Sequence, residues 1–366
     1  MKSEIREILL ASVKKNYKKK SLDFDISRTK TKSHGNWSSN VALILGKELK
    51  QQPKIVAENL VKNLPKRKWL EKVEIAGPGF VNFFLTEEAQ SFFLKNFLSN
   101  DLSSFKSEMP RKILIEYVSS NPTGPIHIGH GRGAAFGSAL ANLLRFTGDE
   151  VIEEYYINDR GLQTDVLALS VFLRYQELFK VKVDFPEECY QGDYIKECAF
   201  LAKEKFLDKY LAKKDLKFTD QSNPLDLINK IYIVFPKFSE FVDFCIHLQM
   251  DQIRGDLSKF KVHHNNWVSE KDLYKDSDDG SFFEKIIKVL KNNEFTYLQD
   301  EALWFKSKEF NDEKDRVLIR NNQDPTYFAS DIAYHKFKFE RDFDQLINVW
   351  GADHHGYIPR LNGALE

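Results

Sequence analysis

The stretch Lys112–Arg132, KILIEYVSSNPTGPIHIGHGR, decides the fold. It opens on an apolar, β-branched run from Ile113 to Val118 that reads as a buried parallel strand. Asn121-Pro122-Thr123-Gly124-Pro125 breaks the strand. His127-Ile128-Gly129-His130 follows, and the spacing of Ala134, Leu140, Leu143 and Leu144 predicts a helix that ends near Gly148. Strand, tight turn and helix start, in that order, present backbone N–H groups and a positive dipole end to a phosphate. Glycines at 129, 131 and 133 remove side chains where a base or a phosphate needs close backbone approach. His127 and His130 are three apart and face the same side of an opening turn, where two imidazoles can donate to charge growing on a phosphoryl group. An HxGH string alone is better explained by a helix cap and a surface residue. The strand before it and the Gly-rich helix after it favour the phosphate reading.

Downstream, Val151 to Ile157 has strand character, Asn158-Asp159-Arg160-Gly161 ends it, and Leu162 to Phe179 is an apolar-striped helix. Strand and helix in alternation indicate an α/β, doubly wound parallel sheet. Residues 181–300 change character, rich in Lys, Asp and Phe, with helical stretches at Asp193–Leu211 and Phe238–Phe260. They read as an insertion between two halves of a nucleotide fold. Asp276–Gly280 lacks calcium-loop spacing, and His263-His264 are adjacent with no cysteine pair beside them, so both read as loop and no metal ligand set is expected.

Ala302–Phe305 and Arg316–Arg320 read as short strands, followed by a helix through Tyr334, His335 and Phe337. Tyr327 and Asp331 are four apart and share a helical face. A buried acid beside a phenol is costly unless a cation fills the space, and a guanidinium suits it, being planar, always charged and able to pair bidentately. A helix-start acid and a packing tyrosine are the commoner account of such a pair. Leu346–Trp350 is a buried-type strand ending in Gly351-Ala352-Asp353-His354-His355, a glycine and an acid placed to meet a ribose. The strand ends at 116–121 and 351–355 would then flank one crevice.

Residues 1–105 read as a small α+β domain ahead of the domain at 106–366, with polar Ser99–Arg111 between them. Ile5, Ile8, Leu9 and Val13 are spaced for a helix, Leu22, Phe24 and Ile26 alternate as a strand, and Val41–Leu49 and Ile55–Leu64 read as helices. Val73 and Ile75, the Gly77-Pro78-Gly79 turn and Phe80–Leu85 make a hairpin. The first 20 residues hold seven Lys/Arg against two Glu, with Lys14, Lys15, Lys18, Lys19 and Lys20 supplying most of the charge. A solvated helix end and an RNA-backbone contact account for this equally well.

The 366 residues include 54 Lys+Arg and 54 Asp+Glu, a balance that excludes a wholly basic nucleic-acid wrapper but not a local basic face. Cys189, Cys198 and Cys245 have neither zinc spacing nor an even count. With no long apolar run, a reducing cytoplasm and no membrane contact are expected.

The 112–132 string resembles the HIGH signature of class I aminoacyl-tRNA synthetases, and Glu116 and Asn121 ahead of the histidines make it similar to arginyl-tRNA synthetases in particular. The long run DEKDRVLIRNNQDPTYFASDIAYHKFKFERDFDQLINVWGADHHGYIPR, from Asp312, carries the same resemblance, as do EVIEEYYINDRGLQ, HGNWSSNVALILGKEL and VEIAGPGFVNFFL. The resemblance implies a Rossmann-type catalytic domain with a connective insertion that helps hold the tRNA acceptor end. It implies that Glu116, Asn121, Tyr327 and Asp331 bind arginine; that His127, Gly129 and His130 bind ATP, the histidines acting in catalysis; that Gly351, Asp353 and His354 lie near its ribose; and that Phe80 and Asn82 meet the D-loop of tRNA(Arg). An aromatic stacking on a splayed base beside an amide on its edge is physically sensible there. The implied reaction is ATP-dependent formation of arginyl-adenylate and transfer to the 3′ adenosine of tRNA, with Mg²⁺ bridging phosphates, by a monomer.

The family's lysine-loop signature and helical anticodon-reading domain are expected beyond Glu366, and Gly124 stands where some relatives carry a compensating lysine. A fragment with an incomplete nucleotide crevice and poor or no activity is the expectation. Two other readings stay open: a non-catalytic tRNA-binding fragment, and a different adenylyl transferase of the HxGH superfamily.

Overall fold

The computed structural model describes residues 1–19, 21–89, 91, 98, 106, 107, 109–212 and 223–366; the side chains of 353 and 355, Lys20 and most of the polar 99–111 segment lie outside the described residues. The chain divides into two compact units, Met1–Phe105 and Lys106–Glu366.

In the first unit, α1 (Lys2–Tyr17) buries Ile5, Ile8, Leu9 and Val13, four positions on one helical stripe. Strands β1 (Ile26–Arg28) and β2 (Trp37–Ser39) precede helices α2 (Val41–Leu49) and α3 (Pro53–Lys62); β3 (Leu70–Ala76) and β4 (Phe80–Leu85) follow. The sheet runs β1-β2-β4-β3 with every pair antiparallel. Only Ile26 of the expected Leu22–Ile26 strand joins the ladder. Leu22 and Phe24 are buried from chain that has no strand partner, since burying alternate residues needs a core but not a ladder. On β4, Val81 and Phe83 fill the core, whereas Phe80 is 39% exposed and Asn82 only 4%. Asn82 sits in register between Ser38 and Glu74.

The second unit begins with β5 (Lys112–Tyr117), α4 (Ile128–Phe146), β6 (Glu150–Ile157) and α5 (Leu162–Glu177). Helices α6 (Asp193–Phe206), α7 (Pro224–Val234) and α8 (Ser239–Lys259) pack their apolar faces with α5 into one core rich in edge-to-face aromatic pairs around Phe172, Tyr210 and Phe241. Next come β7 (Asn266–Ser269), a one-turn helix α9 (Glu270–Leu273) and α10 (Phe282–Asn292). Strands β8 (Thr296–Gln299), β9 (Ala302–Phe305) and β10 (Arg316–Ile319) form a separate antiparallel sheet. Helix α11 (Tyr327–Phe339), β11 (Gln345–Val349) and α12 (Ile358–Leu365) complete the unit.

The central sheet runs β11-β5-β6-β7, and every neighbouring pair is parallel. The chain leaves β5 toward β6 and β7 on one side and returns as β11 on the other, so the strand order reverses at β5. That is where an open α/β sheet leaves a crevice beyond its strand ends. Two expectations need correcting. The 181–300 span is not wholly an insertion, because Asn266–Ser269 inside it pairs with β6. A four-residue strand bearing Asn266 and Ser269 carries no apolar run to betray it. The helix stripe on α4 also differs: Ala134, Gly137 and Ala141 are buried, while Leu143 is 59% exposed. Small residues make the contact because a Cβ on Gly137 would stand 2.2 Å from the Tyr117 ring.

One polar row crosses the whole sheet in register: Asn348 on β11, Glu116 on β5, Glu154 on β6 and Asn266 on β7. Helix α11 answers it with residues about one turn apart, Tyr334, Lys338 and Arg341. Glu154 is fully buried and accepts from Arg341 at 2.5 and 2.8 Å, from the Tyr334 hydroxyl at 2.5 Å and from Asn266 at 2.6 Å. Four donors satisfy a carboxylate that burial alone would make costly.

Candidate active site

The carboxyl ends of β5 and β11, with α11 beside them, enclose a cavity of about 390 Å³, within the usual range for small-ligand sites. It is lined by Glu116, Ser119, Asn121, Tyr327, Asp331, Gly351 and His354 among others. Six of the residues singled out in the sequence thus meet on one cavity. The side chain of Asp353 lies outside the described residues.

Two carboxyl groups face this space. Glu116, 6% exposed, accepts from Ser119 Oγ at 2.8 Å on Oε1 and from the Lys338 ammonium on Oε2. Burial opposes its charge, but Lys338 overrides burial and holds the carboxyl below its ordinary range. Asp331 accepts a hydrogen bond from the Tyr357 hydroxyl, and burial pushes its carboxyl up to about 6. His335 lines the cavity next to it, its Nδ1 on the Asp331 carbonyl at 2.8 Å and its Nε2 against the Asn348 amide at 2.8 Å. Burial lowers this imidazole to about 4, so it is neutral near pH 7. Tyr327 opens α11 and is half-exposed at the cavity's side, while Asn121 bonds Gln163 at 2.6 Å and Asn158 at 3.1 Å.

The backbone turns sharply between β5 and this loop. Val118 and Ser119 adopt φ of 70° and 39°, a region that costs a β-branched residue about 1–3 kcal/mol. The turn aims Ser119 Oγ at Glu116 and lets it accept from the Tyr156 N–H at 3.1 Å. The strain is held by β6 and by the acid it orients.

The histidine pair lies outside this cavity lining, at the exposed start of α4. His127 is the N-cap, and its Nδ1 accepts from the Gly129 N–H at 3.1 Å. His130 Nδ1 accepts from the His127 N–H at 3.3 Å, and the two rings stack with centroids 3.8 Å apart. Because each Nδ1 accepts from backbone, each neutral ring carries its proton on Nε2, the nitrogen left to donate outward. Burial and the neighbouring His127 lower His130. A Cβ at Gly129 would lie 2.9 Å from the His127 ring, so the stack requires glycine there, whereas Gly131 and Gly133 face open space.

Sequence reasoning missed Lys338, Tyr357, His335 and Ser119. Their periodicity was that of an ordinary amphipathic helix or a turn; Lys338, His335 and Tyr357 reach Glu116, Asn348 and Asp331 through packing, whereas Ser119 reaches Glu116 from three residues away. His264, read as a loop residue, is buried among Tyr117, Tyr155 and Trp267, with its Nε2 3.2 Å from the Tyr117 carbonyl. Among the described residues no three His, Cys, Asp or Glu are grouped to hold a metal, and no helix is long and apolar enough to cross a membrane.

A parallel sheet with its crevice at the reversal strand and a histidine-capped helix leaving that strand define a Rossmann-type nucleotide-binding protein. Residues 2–85 match the arginyl tRNA synthetase N terminal domain, and residues 93–362 match the catalytic domain of class I (R) tRNA synthetases. The chain therefore belongs to the class I (R) tRNA synthetase family. It is 43% identical over 356 residues to an arginine–tRNA ligase of Nitrosospira multiformis, covering 94% of this chain and 61% of that one. Against an arginine–tRNA ligase of Legionella pneumophila it is 40% identical over 360 residues, covering 94% and 60%. The crystal structure of arginyl-tRNA synthetase from Plasmodium falciparum superposes with a TM-score of 0.63 at 15% identity, covering 100% of this chain and 61% of that one, a likeness of fold. The chain spans about 60% of the length of these curated relatives.

Proposed function

We propose that this chain carries the amino-acid and ATP sites of an arginine–tRNA ligase. The observation that supports it most is on the cavity side of α11, where Asp331, part-buried, accepts from the Tyr357 phenol and has no ion-pair partner among the described residues. A guanidinium entering between Tyr327 and Asp331 would meet a carboxylate it can pair with and an aromatic face. Glu116 and Asn121 line the same cavity, at its sheet and loop sides.

In this reading the arginine carboxylate attacks the α-phosphorus of ATP, pyrophosphate leaves, and arginyl-adenylate forms. A hydroxyl of the terminal adenosine of tRNA(Arg) then attacks the acyl carbon and AMP leaves. The Nε2–H groups of His127 and His130 and the N-terminus of α4 stabilise charge on the departing phosphates. Gly351, Asp353 and His354 meet the ribose. Mg²⁺, if bound, would be held by ATP oxygens, hard ligands, and would supply neutralisation of phosphate charge. Phe80 offers an exposed ring to the tRNA D-loop, while Asn82, being buried, contributes little beyond its strand. A cytoplasmic monomer is the setting this implies, checked by size-exclusion mass.

The test is arginine-dependent ATP–pyrophosphate exchange, with and without tRNA, together with calorimetric binding of L-arginine. Arginine binding with exchange supports the whole reading. Arginine binding without exchange supports the amino-acid site alone, and no binding of arginine overturns both. Phe80→Ala should weaken tRNA binding while ATP binding stays unchanged; unaltered tRNA binding would return Phe80 to a packing role.

A further inference from the structure

The loop that joins β5 to α4 is held at its two ends by different parts of the fold. Its first residues belong to the β6 and α5 side: Ser120 Oγ lies 2.8 Å from the Tyr155 hydroxyl, and Asn121 bonds Gln163 and Asn158. Residues 122–126 have less to hold them, since Pro122 and Pro125 carry no backbone N–H. Among the described residues, the side chain that hydrogen-bonds this part is Tyr194, whose phenol donates to the Thr123 carbonyl at 2.8 Å across 71 residues of chain.

Tyr194 stands on the first turn of α6, and α6 is fixed by the burial of Ile195, Cys198, Ala199 and Ala202 in the core around α5. Two glycines make room for the phenol. A Cβ on Gly192 would lie 2.4 Å from the Tyr194 ring, and one on Gly124 would lie 3.0 Å from its hydroxyl oxygen. Gly192 has φ of −63° and ψ of 155°, which other residues adopt freely, so the ring rather than the backbone requires glycine there. Burial pushes the phenol up to about 12, so it keeps the proton it donates. A few residues beyond Thr123 the chain reaches His127, the N-cap of α4, whose ring stacks on His130. Pro125, with its φ fixed, stiffens the short span between the two.

We infer that Tyr194 is a positioning residue for the phosphate end of the site: from α6 it fixes the 122–126 loop through Thr123 and so sets where the histidine-capped start of α4 stands. This rests on the ATP reading of that helix start. It gives the helical stretch between α5 and β7 a part in the chemistry through one phenol. Tyr194 lines no part of the β5–β11 cavity, so amino-acid binding serves as the reference against which its effect is read.

The test compares Tyr194→Phe, which removes the hydroxyl alone, with Tyr210→Phe, which removes a phenol bonded to the Lys237 carbonyl at 2.9 Å in the same core. Both lose one phenol-to-carbonyl bond, so a general loss of stability affects both. Dissociation constants for ATP and for L-arginine are measured by calorimetry, and the histidine ring signals are recorded by NMR. Tyr194→Phe should weaken ATP binding roughly 5-fold and leave arginine within about 2-fold of wild type. It should also shift the His127 and His130 signals while those of the buried His264 and His335 stay in place. Tyr210→Phe should move none of these. Gly192→Ala keeps the hydroxyl but displaces the ring, so it should repeat the Tyr194→Phe pattern, and it decides alone should that variant not fold. Unmoved ATP affinity, unmoved His127 and His130 signals, or an equal loss of arginine affinity in Tyr194→Phe overturns the inference. The same changes in Tyr210→Phe, or a wild-type pattern in Gly192→Ala, overturn it too. A wild-type chain that does not bind ATP sinks the ATP reading instead, and the histidine signals then decide the Tyr194 tie by themselves.

Discussion

The cavity floor and the histidine-capped helix start lie at the same end of β5, yet they are built by opposite means. At the helix start the contacts are local: His127 bonds Gly129, and His130 bonds the His127 N–H three residues away. On the floor they are remote: Lys338 and Glu116 are 222 residues apart, and Arg341 and Glu154 are 187 apart. The helix start is exposed and its imidazoles keep an outward donor free. On the floor Glu116 is buried and held by Ser119 and Lys338, while Asp331 is part-buried and has the Tyr357 hydroxyl as its donor. Under the function proposed above, the difference is one of timing: groups that meet transient phosphate charge would stay near solvent, whereas groups that recognise a fixed cation would be pre-set by packing.

The largest test of this contrast is Asp331→Asn. Losing the uncompensated acid should weaken L-arginine binding by about 3 kcal/mol, more than 100-fold, with the melting temperature little changed. Calorimetry that returns a wild-type dissociation constant would mean the cation is read elsewhere. His130→Ala should do the reverse. Exchange should slow by roughly 100-fold, about 2.7 kcal/mol, while arginine affinity stays within a factor of about 3. An equal loss in both would place the histidine in ground-state binding and erase the distinction between the two regions.

Gly137→Ala probes the seat of the helix. A Cβ there meets the buried root of the Tyr117 ring, so the fold should lose about 2 kcal/mol, read as a lower denaturation midpoint. A neutral result would show that α4 can lift from β5 without cost.

The smallest expected effect is in pH. Asp331 titrates near 6, so arginine should bind roughly tenfold more weakly at about pH 5 than at about pH 7, since a protonated acid cannot pair with the guanidinium. For stability the sign is opposite. The folded carboxyl holds its proton at higher pH than the unfolded one. Its contribution is therefore greatest in acid and declines as pH rises toward 6, and Glu270, pushed up to about 7 by burial, acts in the same direction. Affinity that is flat across this range would remove Asp331 from the charge reading, and Asp331→Asn should abolish the dependence.

Much of the site was legible in the chain because its signals are short-range. The strand, the Asn-Pro-Thr-Gly-Pro break and the HxGH helix start announce themselves within 21 residues, and the resemblance carried by residues 312–360 joins the second strand end to them. Less legible was anything that depends on which strands are neighbours. Asn266–Ser269 was hidden in an apparent insertion because a short strand completing a sheet edge needs no apolar run of its own. The stripe on α4 was misread toward Leu143 because close approach to Tyr117 rewards small residues, which hydropathy undervalues.

By itself, then, the sequence determined that this is a nucleotide-binding α/β chain of the synthetase kind, and where its strand, turn and histidine-capped helix start lie, since hydrophobic period, breaker residues and helix caps are properties of neighbours along the chain. Only the tertiary structure decided that Asn348, Glu116, Glu154 and Asn266 form one row, and that Lys338 and Arg341 rise from α11 to neutralise it. A buried charge has no stable state until its partner is specified, and in a parallel sheet that partner is set by strand order and register rather than by distance in sequence.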